Sequence, residues 1–154
     1  MGNTYTQLYV HFVFAVKYRK AMMNPDWDER LRKYITGIIQ NDGHKLIAIN
    51  NMPDHIHIFI GLNPSKSVSQ VMQLVKTNSS GWINKEIKPQ CKFNWQSGYG
   101  AFSYSRSHID NVVKYIRNQQ EHHRKENFIK EYKTMLDNFC VDYNPEYLFT
   151  EPEE

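Results

Sequence analysis

Met52-Pro53-Asp54-His55-Ile56-His57-Ile58-Phe59-Ile60 reads as a tight turn feeding a short strand. Asn50 and Asn51 lead into it, so turn-forming chemistry is dense on its N-terminal side. Beyond the turn, Ile56, Ile58 and Ile60 alternate with His55, His57 and Phe59. Successive side chains of a strand leave opposite faces, so the isoleucines share one buried face and the two histidines share the other. At a rise of ~3.3 Å per residue the two histidine Cα atoms lie ~6.6 Å apart, close enough for both imidazoles to reach one metal ion or one phosphate. Two unrelated polar residues on a solvated face would give the same letters. A paired site is favoured because a histidine pair at the head of an isoleucine strand is uncommon.

Working outward, residues 5–16 predict a long strand rich in β-branched and aromatic side chains. Leu8, Val10, Phe12, Phe14 and Val16 share one face, and Tyr9, His11, Val13 and Ala15 the other. Apolarity on both faces marks it as central. His11 among apolar neighbours reads as a hydrogen-bonded core histidine, a support for the site rather than a ligand. The strand ends in Lys17-Tyr18-Arg19-Lys20, which is either a solvated strand end or a backbone-phosphate contact at the mouth of a site.

Asn24-Pro25 predicts a helix start with Trp27, Leu31, Tyr34, Ile35 and Ile38 on its buried face, stopped at Asn41-Asp42-Gly43. Residues 44–50 read as a strand joined by the 51–54 turn to the histidine strand. Ser67 with Gln70 forms a capping box for a helix carrying Val68, Val71, Met72 and Val75, with Lys76 on its polar side. The aromatic loop 88–100 leads to a short strand near 101–104. Ser107 with Asp110 predicts a second capping box and one helix over about 107–123, in which Tyr115 and Gln119 lie one above the other on the flank of the apolar stripe. His122 and His123 fall at its end, where they suit the helix dipole. A last helix starts at Asn127, and residues 142–154 fade into an acidic tail.

The order βαββαβ followed by two helices predicts an α+β, ferredoxin-like (RRM-like) fold: a four-stranded antiparallel sheet with additional C-terminal helices, one of them carrying Tyr115. All 154 residues form one domain on this reading, with a sheet core over about 5–105, the Tyr115 helix at 107–123 and the C-terminal helix and tail at 127–154. The net charge of +3 permits nucleic-acid binding without demanding it. Cys91 and Cys140 fit neither a metal-ligand spacing nor a disulfide framework, which predicts a reducing, cytoplasmic setting. No apolar run reaches ~18 residues and no signal peptide is legible, so membrane insertion and secretion are not expected.

Two histidines on a strand with a tyrosine and a glutamine on a later helix point to one reaction class. Histidine nitrogens and an amide oxygen can hold a divalent ion with positions left open, and such an ion is a Lewis acid for phosphate. Tyrosine can then attack phosphorus, and a covalent phosphotyrosine would conserve the energy of the cut bond for rejoining. The stretches Tyr9-Val-His-Phe-Val-Phe14, Lys17-Tyr-Arg-Lys20, Met52-Pro-Asp-His-Ile-His57, Gly98-Tyr-Gly-Ala-Phe102 and Tyr115-Ile-Arg-Asn-Gln119 resemble those of the HUH-type single-tyrosine transposases of small insertion sequences, the IS200-like family.

That resemblance implies His55 and His57 as metal ligands, Tyr115 as the nucleophile, Gln119 as the residue completing the ligand set and Asp54 as its support. It implies Mg²⁺ or Mn²⁺, single-stranded DNA with hairpin ends, a 5′-phosphotyrosine intermediate, and a homodimer whose tyrosine helix acts in trans. Related chromosomal copies act on repeated palindromes instead of mobile elements. Lys17, Arg19, Lys20, Lys76 and Arg117 are the candidate DNA contacts. The alternatives are a non-catalytic nucleic-acid-binding module of the same fold, and a metal-dependent hydrolase in which water replaces Tyr115.

Overall fold

The computed structural model describes residues 2–122 and 126–154, so His123 lies outside the described residues. Four strands form one antiparallel sheet: β1 (Tyr9–Ala15), β2 (Lys45–Met52), β3 (His55–Gly61) and β4 (Gly100–Tyr104), in the order β2-β3-β1-β4. Pro53 and Asp54 are the two-residue connection that pairs Met52 with His55. β1 and β3 are central, and every β3 residue from His55 to Ile60 is buried. The expected βαββαβ order and antiparallel sheet are therefore present.

One sheet face carries Val10, Phe12 and Phe14 beside Ile56, Ile58 and Ile60, in direct register. The helices α1 (Asp28–Asn41) and α2 (Val68–Trp82) bury this face through Leu31, Ile35, Ile39, Val71, Met72 and Val75. The aromatic loop packs onto the same core, with Phe93 and Trp95 buried and Trp95 edge-on to Phe14 at 4.7 Å between ring centres. The opposite face is covered by α3 (Ile109–Arg117), the short α4 (Gln119–His122) and α5 (Phe128–Asn138). There Phe59 and Ala48 meet Val112 and Ile116 of α3.

Local chemistry explains where the elements begin. Ser67 and Gln70 make the expected capping box at the start of α2. Asn127 accepts a hydrogen bond from the Lys130 amide and caps α5. The first helix starts later than Asn24 suggests: the Asn24 side chain turns back to the Asp26 amide and closes a turn, so α1 begins at Asp28. The capping box expected at Ser107 is replaced by a 3₁₀ turn over Arg106–His108, because Ser107 is drawn to Ser105 Oγ and His108 Nδ1. The expected 107–123 helix is divided at Asn118, where α3 ends and α4 begins.

The acidic terminus does not fade away from the domain. Glu153 bridges Tyr18 in parallel, its amide donating to Lys17 O (2.7 Å) and its carbonyl accepting from the Arg19 amide (2.5 Å). Phe149 is buried just before it, stacked on Tyr132 at 4.7 Å. Among the described residues no helix is long and apolar enough to cross a membrane.

Gly100 opens β4 against α5, and a Cβ there would lie 2.9 Å from Tyr132 Cε1 and 3.0 Å from Phe102 Cε2. Gly100→Ala is expected to destabilise the fold by about 1–3 kcal/mol through overpacking, read as a lower urea midpoint at unchanged slope.

Candidate metal centre and nucleophile

The two histidines of β3 are fully buried, not presented on a solvated face. Their orientation follows from what their inner nitrogens meet. Asp54 accepts a hydrogen bond from His55 Nδ1 at 2.7 Å, which leaves Nε2 to face the interior of the site. His57 Nδ1 lies 2.7 Å from His11 Nε2, across the β1–β3 pairing. A bond that short needs a donor on one ring and an acceptor on the other. The donor is either His57 Nδ1–H, which leaves His57 Nε2 an acceptor, or His11 Nε2–H, which leaves His57 Nε2–H directed at Glu131 Oε1 3.3 Å away.

Gln119 reaches the same point. Asn50 of β2 donates to the Ile116 carbonyl at 2.8 Å and contacts Gln120 Oε1 at 3.1 Å, which ties the α3–α4 break to the sheet. The break turns Gln119 inward. A continuous helix would leave it on the flank beside Tyr115; here it is fully buried, with Oε1 3.3 Å from His55 Nε2. Tyr115 stays half-buried, its ring edge-on to His57 of the same chain at 5.8 Å between ring centres and to His122 at 4.8 Å. Burial first, and then the charge of Glu131, hold its phenol well above the ordinary tyrosine range, so it is protonated at neutral pH. A cleft of about 370 Å³ bordered by Tyr104, Tyr115, His122, Glu126 and Glu131 gives access from solvent.

Glu131 of α5 is the site residue that the sequence reading missed. Its carboxylate is 2% exposed, with Oε1 3.3 Å from His57 Nε2 and 3.7 Å from His55 Nε2. Its Oε2 accepts from Gln119 Nε2 at 3.4 Å. His55, His57 and Glu131 offer donor atoms all within 4.8 Å of one another, the spacing of ligands around one ion. The signal lay in the pattern: Glu131 falls on the apolar stripe of Phe128, Tyr132, Met135 and Leu136, where a carboxylate has no packing reason to be.

The candidate DNA contacts separate. Lys17 and Lys20 lie where β1 leaves the sheet, a region that also touches the turn beside His55, with the Val16 amide donating to Asp54 O at 2.8 Å. Arg19 is paired with the chain's own Glu154 (3.1 Å) and Glu151 (3.9 Å). Lys76 donates to the Gln96 and Gly98 carbonyls and stands over the Phe14 and Tyr99 rings, and burial lowers its pKa to about 8. Arg117 is exposed at the end of α3.

His11 is completely buried, and desolvation, followed by the neighbouring His57, holds it well below the ordinary histidine range. The unfolded chain therefore takes up a proton near pH ~6.5 that the folded chain refuses. Stability from this residue is present above that pH and is lost on acidification, by up to about 1.4 kcal/mol per pH unit. In urea unfolding at several pH values without divalent ions, His11→Gln is expected to remove this part of the slope; a slope equal to the parent's would refute it.

Comparison with known proteins bears on this site. A family model described as "Transposase IS200 like" matches residues 4–119, which hold His11, His55, His57, Tyr115 and Gln119 but not α5. The ISDra2 transposase TnpA of Deinococcus radiodurans is 24% identical over 121 residues, covering 75% of this chain and 86% of the relative. In fold, the chain is similar to a crystal structure of a transposase from Deinococcus radiodurans R1, with a TM-score of 0.59 at 23% identity over 77% of this chain and 96% of the other. It is also similar to a REP-associated tyrosine transposase bound to a REP hairpin, with a TM-score of 0.60 at 15% identity over 80% of this chain and 73% of that one. With its family match spanning β1 through Gln119, this chain belongs to the IS200-like transposases.

Proposed function

We propose that the chain cuts and rejoins single-stranded DNA at hairpin-marked ends through a covalent 5′-phosphotyrosine on Tyr115. The observation that carries this reading is the convergence of His55 Nε2 and Gln119 Oε1, 3.3 Å apart, beside His57 Nε2, with the Tyr115 ring edge-on to His57. Two imidazole nitrogens and an amide oxygen converging on one point suit Mg²⁺ or Mn²⁺. A bound ion supplies Lewis-acid polarisation of the scissile phosphate. Asp54 and His11 orient the two imidazoles by holding their inner nitrogens.

Tyr115 Oη gives up its proton to solvent and bonds to phosphorus, the 3′-oxygen leaves with the electron pair of the broken P–O bond and takes up a proton from solvent, and the new ester keeps the energy of the old one for rejoining. Because the phenol is held protonated, positive charge entering the site is what makes it a competent nucleophile. Lys17, Lys20 and Arg117 are the proposed backbone-phosphate contacts; Arg19 joins them when its pairing to the terminal carboxylates is exchanged for phosphate. The position of Tyr115 beside its own histidines supports action in cis, and the homodimer with the tyrosine acting in trans is the second reading, carried by the resemblance.

Tyr115→Phe is expected to abolish the covalent protein–DNA band on denaturing gels with end-labelled hairpin DNA, while hairpin binding is retained. His55→Ala is expected to lower metal-dependent cleavage by more than the ~10–100-fold typical of orienting residues. An adduct formed by Tyr115→Phe would refute the nucleophile, and cutting without an adduct would identify a hydrolase. Mixing the two variants separates the arrangements: restored cleavage means a tyrosine acting in trans, and continued inactivity means cis.

A further inference from the structure

Glu131 belongs to a helix that lies beyond the family-matched residues 4–119, yet it closes the site that those residues build. Phe128 stacks face-on against the His55 ring, 4.0 Å between centres and 16° from parallel, and Tyr132 packs behind Phe128 at 5.7 Å. These two rings anchor α5 on the histidine strand. Glu131, one residue before Tyr132, is thereby directed between His55 and His57.

We propose that Glu131 is a fourth protein ligand of the divalent ion, so that the set is His55 Nε2, His57 Nε2, Gln119 Oε1 and Glu131 Oε1. This rests on the reading of the histidine pair as a metal site. Donors at right angles on a six-coordinate Mg²⁺ or Mn²⁺ are separated by about 3 Å. The observed 3.3 Å from His57 to Glu131, 3.7 Å from His55 to Glu131 and 3.3 Å from His55 to Gln119 approach that spacing.

Charge argues the same way. On the Oε2 side of the buried Glu131 carboxylate stand Gln119 Nε2 and His122 Nε2 (3.9 Å), while Oε1 faces the two β3 histidines, where a divalent ion adds positive charge. A divalent ion satisfies all four lone pairs at once. The second oxygen of Glu131 holds the Gln119 amide by accepting from Nε2, which turns Oε1 toward the ion position. The carboxylate is also the one anionic donor of the set, and oxygen-ligand charge is what raises affinity for hard ions.

The test is Mn²⁺ binding by the full chain, followed by calorimetry and by the loss of the free-ion electron paramagnetic resonance signal, for the parent, Glu131→Gln, Glu131→Met and His55→Ala. Glu131→Gln is expected to weaken binding about 10-fold or more, and Glu131→Met further, while thermal unfolding in EDTA stays close to the parent's. Parent-like binding by both Glu131 variants, with binding lost in His55→Ala, would overturn the proposal and leave the histidine site standing. Parent-like binding by His55→Ala would instead overturn the metal-site reading beneath it.

Discussion

Two imidazoles on one face of a fully buried strand impose the constraint to which the rest of this molecule answers. β3 cannot be moved to the sheet edge, because its isoleucine face is sealed by α1 and α2 and its backbone is paired on both sides. The opposite face must then satisfy four imidazole nitrogens in the dark. Asp54 takes one and His11 another, each at 2.7 Å. The remaining two are directed into one small volume, with Gln119 Oε1 3.3 Å from His55 Nε2 and Glu131 Oε1 3.3 Å from His57 Nε2. The covering helices bring Gln119 and Glu131 to the same volume, and the proposed divalent ion would sit among these side chains.

The sheet side of this arrangement was legible because it obeys simple periods. Alternation in residues 55–60 separated the isoleucines from the histidines, and apolarity on both faces of residues 9–15 identified the central strand. Tyr115 and Gln119 were legible as a pair through resemblance. Their geometry was not, since the break at Asn118 depends on Asn50, which is distant in sequence and holds the α3 end by hydrogen bonds. The same limit hid the starts of α1 and α3, where Asn24 and Ser107 spend their side chains on local turns instead of helix amides. Glu131 was missed because burial of a single charge is decided by tertiary packing.

The cationic run after β1 shows why a charge pattern is a weak guide to a binding surface. Lys17, Arg19 and Lys20 read alike in sequence, yet the folded chain distinguishes them. Arg19 is covered by Glu151 and Glu154, and Glu153 adds backbone pairing across Lys17 to Arg19. The pairs are exposed, so each contributes at most about 1 kcal/mol and is screened by salt. What holds the terminus is burial of Phe149 and the Gln96 side chain, which bonds both the amide and the carbonyl of Thr150.

That terminus and the histidine site are mechanically continuous. Phe149 stacks on Tyr132 at 4.7 Å and lies 5.9 Å from Phe128, and Phe128 in turn lies flat on His55. A row of buried rings therefore runs from the C-terminal segment to His55, and α5 rides on it with Glu131 between. Packing in such a row transmits displacement well, because interiors are close-packed and side chains occupy discrete wells. Loss of Phe149 from its seat would release Tyr132, and through it the helix that positions Glu131. The family-matched residues build the histidines, the tyrosine and the glutamine; the chain beyond residue 119 determines how firmly the carboxylate is held against them.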